Sequence, residues 1–133
     1  MSRSYRDLIA WQKALALVTT IYEISAEFPK HELYGLTSQI RRAAVSVVSN
    51  IAEGQGRNSA REFVLFLSHA NGSLVEVETQ IFVAESLRYI TANKKLALLE
   101  KTEEVGRLVV GIIVVTSRKI ARCCGRLRLE TKN

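Results

Sequence analysis

The sequence predicts an all-α protein, an antiparallel up-and-down four-helix bundle. Three observations predict it. Apolar residues recur at three- and four-residue spacing through four long segments. The 133 residues include a single proline, so little interrupts a long helix. The breaks between segments are short, and short connectors between long helices make neighbours antiparallel. Hydrophobic residues are 47% of the chain and charged residues 24%, the range of a globular protein. A chain of this length buries a core without disulfides or a metal.

The first helix is expected from about Leu8 to Phe28, with Leu8, Trp11, Leu15, Val18 and Tyr22 as its apolar face. Pro29 stops it, and Pro29-Lys30-His31 makes a short connector. The second runs from Glu32 or Leu36 to Glu53, with a stripe of Leu36, Ile40, Ala43, Val47 and Ile51. Gly54-Gln55-Gly56 ends it, glycine supplying a left-handed turn. Ser59 and Glu62 form a capping box at the start of the third helix, where each side chain satisfies the other's orphan amide. Its stripe is Phe63, Phe66, Leu67, Ala70, Leu74, Val77, Ile81 and Ala84, ending near Leu87. Thr91 is the N-cap of the fourth, whose inner face is Leu96, Leu99, Val105, Leu108, Ile112 and Val115. That helix reaches at least Lys119.

The β-branched run from Val109 to Val115 is read as helix rather than strand, because helical periodicity flanks it and no turn residues bound it. Its valines and isoleucines point all round the helix. A helix in a lone bundle keeps one solvated face, so this one needs a second partner. Another subunit is the expected partner. The N-terminal segment or the tail folding back is the alternative. Gly72, Gly106 and Gly111 interrupt helices at about 1 kcal/mol each, and close approach of a neighbouring helix is the expected compensation.

Charge divides the chain into a bundle over residues 1–119 and a basic tail over 120–133. From Arg118 onward six cations face Glu130 alone, a net of +5 out of the chain's +6, which leaves +1 for everything before it. A basic tail points to a polyanion such as RNA or DNA. The plainer reading is a solvated tail whose cations suit a helix C-terminus. Arg118, Lys119, Arg122, Arg126 and Arg128 are the favoured nucleic-acid contacts, with Arg41, Arg57 and Arg61 as weaker ones. Arg118, Arg122 and Arg126 stand at successive i, i+4 positions and project from one face if the fourth helix continues. No aromatic interleaving or named RNA-binding motif accompanies them, so binding should be electrostatic and weakly sequence-specific.

Catalytic and metal chemistry find no footing. Gly54-Gln55-Gly56-Arg57 lacks the lysine and the preceding strand of a phosphate loop. Neither His31 nor His69 has glutamate three residues earlier, as a di-iron bundle requires. No Gly-x-Ser-x-Gly elbow exists. Cys123 and Cys124 are adjacent, without the spacing of a zinc or redox motif, and read as reduced thiols. No apolar run reaches the roughly 18 residues of a membrane span, and no signal peptide is evident. A cytoplasmic, cofactor-free, non-enzymatic protein is expected.

The stretch YGLTSQIRRAAVSVVSNIAEGQGR, Tyr34 to Arg57, carries a resemblance. Together with DLIAWQKA (Asp7 to Ala14), IYEISAEFPKHE (Ile21 to Glu32), EF-x₂-FL (Glu62 to Leu67) and GSLVEVETQI (Gly72 to Ile81), it closely resembles the bacterial four-helix-bundle proteins first known from intervening sequences in 23S rRNA genes. The resemblance covers roughly Tyr5 to Lys119 and departs at Val48, where that family commonly has proline. It implies a small helical bundle assembling as a cyclic homo-oligomer, a pentamer, with no catalytic activity. A related group accompanies reverse transcriptases of diversity-generating retroelements and binds nucleic acid. That relation implies RNA, DNA or a reverse transcriptase as partners, or a purely structural, protein-interaction role without nucleic acid. Members are often labelled as an S23-like ribosomal protein.

A second, polar stripe runs beside the apolar one. Gln39, Arg42, Ser46, Asn50 and Glu53 recur at helical spacing on the second helix, and His69, Ser73, Glu76 and Gln80 on the third. Folding the two about Arg57 brings the stripes into register. The expected result is a polar seam, with Arg42 bridging to Glu76 or Glu78 and Asn50 bonding across the helices. Such seams set register and oligomer state more than they add stability. A ligand or RNA groove is the alternative.

Overall fold

The computed structural model describes residues 4–130; Lys132, counted with the basic tail, lies outside the described residues. Four α-helices and no strand occur among the described residues: α1 (Ile9–Ser25), α2 (Leu36–Gln55), α3 (Ala60–Ser86) and α4 (Ala92–Glu130). Short 3-10 turns at Tyr5–Asp7 and Lys30–Glu32 precede α1 and α2. One hydrophobic core joins all four helices. Leu17, Ile21, Ile40, Ile51, Leu67, Leu74, Ile81 and Leu98 are its largest fully buried side chains. Contacts pair Ser25 with Arg41, Ser46 with Ser73, Glu85 with Lys95, and Arg61 with Cys124.

The helix ends follow local chemistry. Ser59 Oγ accepts from the Glu62 N–H at 3.1 Å, and Thr91 Oγ1 accepts from the Lys94 N–H at 3.2 Å, so both residues cap their helices. The Glu62 side chain does not return the bond to the Ser59 N–H, and the expected capping box is half formed. The α2 terminus differs from expectation. Gly56 sits at φ −80°, a right-handed conformation, and no described glycine has positive φ. Gly54 serves another purpose. A Cβ there would lie 2.9 Å from Phe66 Cβ and 3.1 Å from Phe63 Cδ2, so glycine lets α3 close onto α2. The left-handed residue is Arg88, at φ 63° after α3. The Arg88 N–H donates to Glu85 O and the Tyr89 N–H to Ala84 O, the bond pair of a Schellman motif with arginine where glycine is usual.

The apolar faces of α2 and α3 match the sequence reading, apart from Phe66, which stands outside the core, whereas those of α1 and α4 are rotated from it. On α1 the buried line is Ala10, Ala14, Leu17 and Ile21. Leu15 and Tyr22 are exposed, and Leu8, Trp11 and Val18 flank the core. The alanines win the central line because small side chains let helix axes approach, and bulky residues then fit along the edges. On α4 the buried line is Leu98, Thr102, Val105 and Val109, while Leu96 and Val115 are exposed. Thr102 tolerates burial because its hydroxyl donates to Leu99 O at 2.8 Å.

The β-branched run is helical and only partly covered. Val109 is buried and Ile112 and Ile113 pack against the core, but Val110, Val114 and Val115 remain 44%, 40% and 52% exposed. The N-terminal 3-10 turn packs on α1 and α2, not over this surface. Of the three helical glycines expected to admit a neighbour, only Gly106 does so here: its Cβ would meet Leu74 Cδ2 at 3.3 Å. Gly72 and Gly111 have nothing within 4 Å, so no helix of the same chain approaches them.

Candidate nucleic-acid interface

The basic segment is helical. α4 runs unbroken from Ala92 to Glu130, straight through the position after Lys119 at which the charge pattern divides the sequence. Its 39 residues make a rod about 58 Å long, against about 40 Å for the 27 residues of α3. The excess length extends past the start of α3. Contact between the two helices persists to that point, since Arg61 Nη2 lies 3.4 Å from Cys124 Sγ. Lys119, Ile120, Cys123 and Cys124 also line one groove with Ser59 and Ala60. Both cysteines are free thiols.

This packing gathers cations at one end of the molecule. Arg118, Lys119, Arg122, Arg126 and Arg128 are all exposed on α4. Arg118, Arg122 and Arg126 fall on one face, each about one turn beyond the last. Arg61 stands beside them on the first turn of α3. Arg57, in the α2–α3 connector, lies with its guanidinium carbon 4.6 Å from the centre of the Phe66 ring. Among the described residues, Arg57, Arg61, Arg118, Lys119, Arg122 and Arg126 form no ion pair. The acids on the adjoining helix ends are Glu53 and Glu62, both exposed. Fields of like-charged side chains converge on such an end and attract anions.

Arg41 takes a different position. Its Nε donates to Ser25 Oγ at 2.8 Å and its Nη2 to Tyr22 O at 3.3 Å, while its guanidinium lies 4.6 Å from the centre of the Tyr22 ring. It closes the C-terminal end of α1, far along the molecule from the α4 cations.

The polar stripes meet at one point. Ser46 Oγ and Ser73 Oγ lie 2.8 Å apart across α2 and α3. Asn50 Nδ2 donates to Ser46 O at 2.8 Å and to Ser46 Oγ at 3.1 Å, within its own helix. Gln39, Arg42, Glu53, His69 and Glu76 are exposed, and Arg42 and Glu76 do not pair. In the bundle interior a charged pair would lose its hydration, whereas at this exposed edge water serves both groups. Glu78 turns to a groove between α3 and α4 that it lines with Asn71, Glu103 and Arg107. Gln80 is buried; its Nε2 reaches Glu76 Oε1 at 3.5 Å, and its Oε1 has no partner among the described residues. His69 packs edge-on against Phe66. Ser46 and Ser73 both stand on the stripes read from the sequence, but the pair expected to bridge them was Arg42 with Glu76 or Glu78, and the two serines meet instead.

Residues 6–111 match the 23S rRNA-intervening sequence protein family. The chain belongs to that family. Among solved structures, a protein of unknown function from the S23 ribosomal protein family of Bacteroides thetaiotaomicron has the same fold, with a TM-score of 0.74 at 22% identity. That likeness covers 79% of this chain and 95% of the other. A comparison with curated proteins returns no match. The family match ends within α4, so the cation-bearing part of that helix lies beyond the matched region. No helix among the described residues is long and apolar enough to cross a membrane.

Proposed function

We propose that this member of the 23S rRNA-intervening sequence protein family is a non-enzymatic scaffold, an antiparallel up-and-down bundle that self-associates and holds a nucleic-acid backbone on the basic end of α4. The observation that carries the reading is the unpaired cation face of Arg118, Arg122 and Arg126, flanked by Arg57 and Arg61. Phosphates satisfy such cations without reading bases, so binding is general for RNA and DNA and depends on salt. Paired contacts such as Glu85 with Lys95 and Arg61 with Cys124 support the antiparallel arrangement.

Self-association follows from apolar surface. Leu65, Val75 and Phe82 on α3 and Leu96, Val110 and Val114 on α4 are 40–62% exposed, each set on one side of its helix. Gly72 and Gly111 open the same surfaces to a close approach. A cyclic homopentamer would repeat the basic end around an axis and multiply its field. A reverse transcriptase or another protein partner would then be presented with nucleic acid already held. Multi-angle light scattering with and without a generic single-stranded RNA reads both claims. The expected result is an oligomer whose mass rises on adding RNA. A monomer, or an oligomer with no RNA in its peak, contradicts the reading.

A further inference from the structure

A pocket stands at the far end of the core, where α1 gives way to α2. Its cavity of about 360 Å³ has a wall of Phe28, Pro29 and Leu33, and its polar lining includes Lys30, Thr37 and Arg41. This end lies about 36 Å along α4 from the basic face, taking Lys94, which pairs with Glu27, and Arg118 as markers.

Three features of the polar lining converge on one ligand chemistry. Arg41 is half-buried, and both acceptors it meets, Ser25 Oγ and Tyr22 O, are neutral. A guanidinium has five N–H donors, and a charge partly withdrawn from water is most stable beside an anion. Among the described residues Arg41 has no carboxylate. Thr37 sits one turn before Arg41 on α2, is 4% exposed, and its hydroxyl has no hydrogen-bond partner among the described residues. Lys30 adds a second cation without an ion pair, and no acid lines the cavity.

We propose that this pocket binds a small organic carboxylate with an apolar tail. The two carboxylate oxygens match the spare edge of the Arg41 guanidinium and the Thr37 hydroxyl, and Lys30 attracts the charge. The tail lies on Phe28, Pro29 and Leu33. A cavity of this size suits a compact molecule, at the low end of ligand pockets. The site is separate from the nucleic-acid surface and does not depend on it.

Amide NMR of the full chain titrated with hexanoate tests the proposal, with hexan-1-ol as the uncharged control. The expected result is saturable shifts confined to residues around Ser25, Lys30, Thr37 and Arg41 with hexanoate and none with the alcohol. Thr37→Val keeps the side chain's shape and removes the hydroxyl, and should weaken hexanoate about tenfold, the loss of a hydrogen bond to a charged group. Its helical circular dichroism should match that of the parent. No saturable shift, equal response to hexan-1-ol, or undiminished affinity in Thr37→Val overturns the proposal. Binding of a capped dipeptide with a free C-terminus, but not of hexanoate, also overturns it and assigns the pocket to a chain terminus.

Discussion

Ser46 on α2 and Ser73 on α3 touch through their hydroxyls at 2.8 Å, with Asn50 donating to Ser46 from one turn away. This is where the polar stripes of the two helices meet. A half-buried hydroxyl pair of this kind is worth about 1 kcal/mol and holds one register of α2 on α3. A double-mutant cycle on Ser46→Ala and Ser73→Ala, read by urea unfolding, should give a coupling of about 0.5–1.5 kcal/mol. Additive effects would remove the pair from the account.

The glycines separate contacts inside the chain from contacts outside it. Gly54→Ala should destabilise by about 1–3 kcal/mol despite alanine's better helix propensity, because its methyl would meet the Phe66 side chain at 2.9 Å. Gly72→Ala and Gly111→Ala meet open space and should stabilise an isolated subunit by up to about 1 kcal/mol. If those glycines admit a second copy, the same two substitutions weaken the assembly. Thermal unfolding over a range of protein concentrations distinguishes the two effects.

Arg88 holds a left-handed conformation that glycine adopts without strain. Arg88→Gly should therefore stabilise the α3–α4 connector by about 0.5–1 kcal/mol. An unchanged or lowered melting temperature would show that the arginine side chain contributes more than its backbone costs.

The rotated face of α1 is checked by a pair of truncations. Leu17→Ala, in the core, should cost about 2–5 kcal/mol of unfolding free energy. Leu15→Ala, 44% exposed, should cost under about 1 kcal/mol in the subunit. Equal costs would place the core where simple periodicity first puts it.

That pair shows what the sequence makes legible. α2 and α3 carry large apolar residues on their contact lines, from Leu36 to Ile51 and from Leu67 to Ile81, so periodicity finds both. α1 puts Ala10 and Ala14 at its closest contact and its bulkier Trp11 and Leu15 one position round, so a search for large side chains selects the neighbouring face. α4 buries Thr102 in its contact line and is apolar on several sides, so no single face stands out. Helix caps at Ser59 and Thr91 are local events and were readable. The Schellman turn at Arg88 was not, because arginine there gives no sign of a left-handed residue. The α4 cations were visible as a charge run, but their convergence with Arg61 needed the register of α3 on α4. The pocket beside Arg41 needed the whole fold, since its walls come from the end of α1, the connector and the start of α2.

Phosphate binding by the cation face of α4 gives the sharpest test of the proposed function. Fluorescence anisotropy with a labelled single-stranded RNA, over a series of salt concentrations, measures it most directly. Log K should fall linearly with log salt, at about 0.7 per phosphate neutralised on a single strand. Changing Arg118, Arg122 and Arg126 together to glutamine should weaken binding across unrelated sequences and reduce the slope by about 2. An unchanged affinity and slope in that variant, with its helicity intact, would contradict the account.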